Sequence, residues 1–194
     1  MRDSVGGTGK GDIMDSRSSA AAPRSILIVG GQRSGKSRYA EARSLASGME
    51  RVYLATATAG DREMRSRIAA HRDRRGEDWL TVEETLDVAE ALRREARPHR
   101  FVLVECLTLW LSNLYGAGRD LAEATRRLAD SVAGLPGVVA FVSNEVGSGI
   151  IPDNAMARAY ADALGSLNQA MGAAVDEVVL VVAGQPLTIK AGAR

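Results

Sequence analysis

Short apolar runs alternating with helical segments predict an α/β protein with a mainly parallel central sheet flanked by helices. The runs recur at Ser25–Val29, Arg51–Thr56, Phe101–Glu105, Val138–Val142 and Val178–Val182, as strands buried on both faces require. Between them lie stretches with helical periodicity or helix-ending signals. The eight residues Gly30-Gly31-Gln32-Arg33-Ser34-Gly35-Lys36-Ser37 join the first strand to the first helix in the pattern G-x-x-x-x-G-K-[ST], the signature of a phosphate-binding loop.

Residues 1–24 are rich in Gly, Ser, Ala, Asp and Arg and lack an apolar period. They read as a disordered extension ahead of one domain over 25–194. The Gly6–Gly11 piece follows no strand and is discounted as a phosphate loop, and Met14 is an alternative start. The first strand, Ser25–Val29, leads through the glycine loop into a helix over Lys36–Ser47. Arg51–Thr56 is the second strand. A helix over Asp61–Arg72 puts Met64, Ile68 and His71 on one face, and another over Leu86–Ala96 stops before Pro98. Phe101–Glu105 is a strand. The helix Leu121–Ala133 ends at Gly134 and Pro136. Val138–Val142 is the next strand, and Asp153–Ala173 the longest helix. Val178–Val182 and Leu187–Lys190 are strands joined by a turn at Gly184-Gln185-Pro186, too close for a helical crossover, so they form an antiparallel hairpin. The sum is a P-loop NTPase fold of the RecA-like kind, without internal repeats.

At 194 residues the chain is long enough to bury a substantial core. A formal net charge of +1 gives no case for nucleic acid or an anionic membrane as partner. One cysteine, Cys106, excludes an internal disulfide and fits a reducing cytoplasm. One cysteine and two histidines cannot build a zinc site. No apolar run reaches membrane-span length, and no signal-peptide core opens the chain.

The loop's backbone N–H groups and the helix dipole favour phosphate oxygens. Lys36 would reach the β and γ phosphates, and the Ser37 hydroxyl would hold Mg²⁺. The only lysines are Lys10, Lys36 and Lys190. A glycine turn merely capping a helix leaves that rare ammonium unexplained. Val102–Glu105 is an apolar strand ending in a carboxylate, placed to sit near the Mg²⁺ or its waters. His71 lies in an arginine-rich helix but on its apolar side. Spacing alone favours a hydrogen-bonded interior histidine over a nucleophile beside polyphosphate. Asn144 and Glu145 open a loop at the carboxyl end of a strand, the edge where such sheets bind ligands. His99 is given no role, Trp79 and Trp110 are packing residues, and Cys106 is an apolar filler.

Several stretches carry a family resemblance: GGQRSGKSRYAE at Gly30–Glu41, YLATA at Tyr53–Ala57, EMRSRIAAHRDRRGEDW at Glu63–Trp79, ECLTLWLSNL at Glu105–Leu114, SNEVGSGIIPDN at Ser143–Asn154 and LNQAMGAAVDEVVLVVAGQPLTIK at Leu167–Lys190. Over Ser25–Lys190 the chain resembles the bifunctional adenosylcobinamide kinase/adenosylcobinamide-phosphate guanylyltransferases of cobalamin biosynthesis. The resemblance implies that ATP or GTP phosphorylates the aminopropanol hydroxyl of adenosylcobinamide. GMP then passes from GTP to that phosphate through a guanylyl-histidine, releasing pyrophosphate. The matching histidine is His71, which reverses the interior reading and makes it catalytic together with Lys36. By the same matching, Gly30, Gly31, Gln32, Arg33, Ser34, Gly35, Lys36, Ser37, Thr56, Ala57, Thr58, Arg72, Asp73, Arg74, Arg75, Glu83 and Glu105 bind GTP, with Ser37 and Glu105 at Mg²⁺. Many relatives have Asp at the position of Glu105, and some carry a second histidine where Ala70 stands. The N-K-x-D motif that reads guanine in regulatory GTPases is absent. The resemblance also implies a cytoplasmic homo-oligomer, a trimer. The alternatives are a small-molecule kinase in which His71 is structural, and a nucleotide-dependent assembly module related to recombinase-type ATPases.

Overall fold

A computed structural model describes residues 24–58, 62, 65, 66, 69 and 78–192. Its strands are β1 (Ser25–Gly30), β2 (Glu50–Ala55), β3 (Trp79–Glu83), β4 (Arg100–Glu105), β5 (Val138–Asn144), β6 (Glu177–Val182) and β7 (Gln185–Lys190). They form one sheet in the order β3-β2-β4-β5-β1-β6-β7. Every pairing is parallel except β6 with β7. The helices are α1 (Lys36–Ser47), α2 (Val88–Glu95), α3 (Leu107–Gly116), α4 (Leu121–Val132) and α5 (Ala155–Ala174).

Alternate residues of a strand face opposite sides of the sheet, and the central strands bury both. Leu27, Val52, Leu54, Val102, Val104, Val139 and Phe141 pack with side chains of α2 to α5 in one core. Ile26, Ile28, Tyr53, Phe101, Leu103, Ala140 and Val142 form a second core with Ala40 of α1. This double burial is why the central strands read as unbroken apolar runs.

Two elements escaped the sequence reading. β3 is an edge strand whose five residues are exposed or half-buried, so it lacks the apolar signal. It pairs in parallel with β2, Val82 opposite Leu54. α3 begins one residue after β4, and its first turns bury Leu107, Trp110, Leu111 and Leu114. Strand and helix therefore merge into one apolar stretch without a period change. The Trp110 indole N–H donates to the Leu86 carbonyl at 2.7 Å, which makes it the packing residue expected.

Caps set the other boundaries. The longest helix starts after Asn154, whose Oδ1 accepts from the Ala157 amide at 2.7 Å, not at Asp153. Glu84 accepts from the Leu86 and Asp87 amides ahead of α2. At the other end of α5, the Lys190 ammonium donates to the carbonyls of Gly172, Ala173 and Val175, a cation where the helix dipole favours one. The hairpin turn is tighter than Gly184-Gln185-Pro186. Ala183 and Gly184, with φ of 50° and 78°, make it, as a two-residue hairpin with both central φ positive does. Gln185 and Pro186 already belong to β7, an outer strand that tolerates proline. Of the expected helix Asp61–Arg72, Arg62, Arg65, Ser66 and Ala69 are helical. The rest of that segment, with His71, and Arg72–Arg75 beyond it lie outside the described residues. So does the predicted extension up to residue 23.

Candidate functional site

Parallel pairing brings the carboxyl ends of the strands to one edge. Glu83, Ala55, Glu105, Val142 and Ile28 share one rung across β3, β2, β4, β5 and β1. The phosphate loop leaves this edge two residues beyond Ile28. One strand, β5, separates it from the strand that carries Glu105.

The loop is shaped by close backbone contacts. Gly30 has φ of 154°, and a Cβ there would stand 2.3 Å from the Val181 carbonyl oxygen and 2.8 Å from Ser34 Oγ. Arg33 and Gly35 also have positive φ, 57° and 105°. A Cβ on Gly35 would meet Gly184 Cα at 3.1 Å, and the Gly184 amide donates to the Ser34 carbonyl at 2.8 Å. The β6–β7 turn therefore buttresses the phosphate loop, a contact between segments 150 residues apart that no local pattern announces. Gly31 has open space around it.

Lys36 is 7% exposed. Its ammonium donates to the carbonyls of Gly30 at 3.0 Å and Gly31 at 2.7 Å. Burial lowers its pKa, opposed by Cys106 where that thiol is ionised and by the Glu105 carboxylate. An ammonium that has lost water and gained only two carbonyls is poised for an anion. The Ser37 hydroxyl donates to Glu105 Oε1. Hydroxyl and carboxylate oxygens side by side suit a hard cation that takes its other ligands from phosphates and water, so the pair fits Mg²⁺. Among the described residues, no group of three or more His, Cys, Asp or Glu side chains could hold a metal unaided. The buried Ser34 hydroxyl in the loop has no protein hydrogen-bond partner.

Thr56 is buried beside this centre. Its amide donates to the Glu105 carbonyl at 3.0 Å and its hydroxyl to the Cys106 carbonyl at 2.8 Å. Ala57 is half-buried and Thr58 exposed. Asn113 of α3, which the sequence reading passed over, donates to the carbonyls of Thr56 at 2.7 Å and Thr85 at 3.2 Å. It ties the ends of β2 and β3 together. Its helix went unread, so nothing placed that amide. Glu83 does not join the Lys36–Glu105 group. It is exposed at the end of β3, two strand spacings from Glu105, roughly 10 Å, and four from β1, roughly 19 Å along the edge.

Beyond β5, the Glu145 amide donates to the Gly30 carbonyl at 3.0 Å. The Asn144 amide donates to Thr108 Oγ1 at 2.8 Å, and its carbonyl accepts from Asn168 at 3.0 Å. The Glu145 carboxylate turns back on its own loop, accepting from the Gly147 and Ser148 amides. A hydrogen bond with the Ser148 side chain is the largest influence holding its pKa low. Cys106 is half-buried, and burial pushes its thiol up to about 11. His99 stands on the surface beside Glu50 at 3.3 Å. Among the described residues, no helix is long and apolar enough to cross a membrane.

A strand, a phosphate loop and a helix at the carboxyl edge of a doubly covered parallel sheet, with lysine, serine and a facing carboxylate, define a P-loop nucleotide-binding protein. The comparisons specify which. The family model described as "Cobinamide kinase / cobinamide phosphate guanyltransferase" matches residues 26–189, and the chain belongs to that family. It is 46% identical over 166 residues to the bifunctional adenosylcobalamin biosynthesis protein CobP of Pseudomonas aeruginosa, covering 84% of this chain and 96% of that one. With the bifunctional adenosylcobalamin biosynthesis protein CobU of Escherichia coli K12 the identity is 38% over 180 residues, 85% of this chain and 99% of the relative. A solved structure from Pyrococcus horikoshii OT3 superposes with a TM-score of 0.50 at 10% identity, over 87% of this chain and 86% of that one; it shows the fold alone. The chain is thus a bifunctional enzyme of adenosylcobalamin biosynthesis, a cobinamide kinase and cobinamide-phosphate guanylyltransferase.

Proposed function

We propose that the single loop Gly30–Ser37, within one domain over 25–194, holds the nucleoside triphosphate in both reactions, and that in the second His71 carries the guanylyl group from GTP to the acceptor phosphate. The observation that supports the loop's role is the buried Lys36 ammonium beside the Ser37–Glu105 pair. In the first reaction the loop grips ATP or GTP and Lys36 offsets charge on the β and γ phosphates. The acceptor hydroxyl attacks the γ phosphorus, the β–γ bridge breaks, and the hydroxyl proton leaves to solvent. Mg²⁺, held by Ser37 and Glu105, would supply charge neutralisation on the phosphate oxygens.

In the second reaction neutral His71 attacks the α phosphorus of GTP. A P–N bond forms, the α–β bridge breaks and pyrophosphate departs. Arg72, Arg74 and Arg75, next to His71 in sequence, offset the charge on the leaving group. A phosphate oxygen of the acceptor then attacks the same phosphorus, the P–N bond breaks and His71 is restored. Splitting the transfer lets one site serve two acceptors in turn. Thr56–Thr58 and Glu83, at the sheet edge, complete the GTP site, and the resemblance adds Asp73. The resemblance further supports a cytoplasmic homotrimer. Incubation with α-labelled GTP should leave an acid-labile, alkali-stable adduct on the protein, absent in His71→Ala. Label retained by that variant would remove His71 from the mechanism.

A further inference from the structure

Between α3, the loop after β5 and the start of α5 lies a cleft of about 460 Å³ lined by Ser112, Tyr115, Val146, Met156, Ala157 and Tyr160, with further small apolar neighbours. Among the described residues, no Asp, Glu, Lys or Arg lines it. Its chemistry is therefore the opposite of the phosphate loop's: a nucleotide would find no cation there, whereas the apolar edge of a larger ligand would lose little by leaving water.

The cleft is joined to the reaction edge by hydrogen bonds. The Tyr160 hydroxyl in its wall donates to the Thr108 carbonyl at 2.7 Å. Thr108 Oγ1 accepts from the Asn144 amide at 2.8 Å, and the adjacent Glu145 amide donates to Gly30 at 3.0 Å. Four residues thus link the cleft wall to the first glycine of the phosphate loop. Met156 of the cleft wall is 64% exposed, and in the loop between Val146 and Pro152, both of which line the cleft, Ile150 is 98% exposed and Ile151 78%. Polar groups brace the loop in this form. Glu145 accepts from the Gly147 and Ser148 amides, and Arg158 donates to the carbonyls of Pro152 and Asp153. Large apolar side chains left in water on a braced loop beside an apolar cleft mark a binding surface.

We propose that this cleft docks the corrin ring of the acceptor, holding one apolar edge of the macrocycle while the arm that bears the hydroxyl reaches the phosphate loop. The inference rests on the reading of Gly30–Ser37 as the donor site, since it is adjacency to that loop that selects the acceptor as occupant. The whole corrin with its amide arms exceeds the cleft, so only part of the ring enters and the amides stay hydrated.

The test is equilibrium dialysis with adenosylcobinamide, followed by corrin absorbance, on the full chain and two variants. Ala157→Trp fills the cleft. Met156→Glu puts a charge on the rim at an exposed position, where folding is not at stake. GTP affinity measured in parallel reports on folding. The expected result is acceptor binding weakened at least tenfold in both variants, with GTP affinity within twofold of the parent. Unchanged acceptor binding in Met156→Glu overturns the proposal. So does a changed sedimentation coefficient with unchanged acceptor binding, which would assign the cleft to a second copy of the chain. A Lys36→Met chain that binds GTP normally would instead defeat the donor-site reading, and the dialysis comparison would still decide the cleft.

Discussion

Replacing Lys36 with methionine removes the ammonium while keeping most of the side-chain volume. Without nucleotide, that ammonium sits buried against two carbonyls at 3.0 and 2.7 Å, and burial lowers its pKa. Two charge-assisted hydrogen bonds are lost, each about 1.5 kcal/mol, but the cost of keeping a cation from water disappears with them. The nucleotide-free variant should therefore match the parent in stability to about 1 kcal/mol. Nucleotide binding tells a different story. A phosphate oxygen about 3 Å from the ammonium gains on the order of 5 kcal/mol at an effective dielectric near 20. Rehydration of the freed phosphate leaves a net loss of about 2–3 kcal/mol, or a Kd raised roughly 30- to 150-fold. Calorimetric titration with Mg·GTP reads the affinity and a urea melt reads the stability. An affinity within threefold of the parent would refute the placement of the triphosphate on this loop. A stability loss above about 3 kcal/mol would refute the view that the ammonium is held there at a cost.

Three further outcomes follow from the geometry. Gly30→Ala would press a Cβ to 2.3 Å from the Val181 carbonyl oxygen, so urea melts should show a loss of about 2–4 kcal/mol; a change under about 0.5 kcal/mol would contradict the contact. Burial works to raise the Asp176 pKa, but hydrogen bonds from the Ser25 side chain and the Arg24 and Ser25 amides outweigh it and leave it depressed. Its stabilisation is therefore present above the unfolded pKa of about 3.9 and lost as pH falls through the lower folded value. In acid titrations monitored by circular dichroism, Asp176→Asn should lose this limb; an unchanged acid transition would contradict it. Burial raises the Cys106 thiol to about 11, so its contribution is complete below the unfolded value of about 8.5 and is lost as pH rises through the folded one. Alkylation by iodoacetamide should be slow at pH 8.5 and accelerate only in stronger alkali, as followed by mass spectrometry; a rate already at its plateau at pH 8.5 would show an accessible thiolate.

The phosphate loop, the strand that carries Glu105 and the hairpin were legible because each depends on neighbours in sequence: a glycine pattern, an apolar run ending in a charge, and a linker too short for a crossover. β3 was not, because Trp79–Glu83 is an edge strand with little to bury. Nor was α3, because Cys106 alone separates two apolar elements. Losing α3 hid Asn113 and Thr108, whose work is to join β2, β3 and β5 across distant parts of the chain. The support that Gly184 gives Ser34 was invisible for the same reason. Glu83 reached the candidate site only by resemblance, because the exposed strand that carries it to the edge beside β2 went unread.

The central claim is that one phosphate loop serves two reactions and that His71 separates them. Its most direct measurement is the product analysis of His71→Ala supplied with adenosylcobinamide, GTP and Mg²⁺. Cobinamide phosphate should accumulate and no guanylylated product should form. Guanylylated cobinamide made by His71→Ala at a rate near that of the parent would contradict the claim.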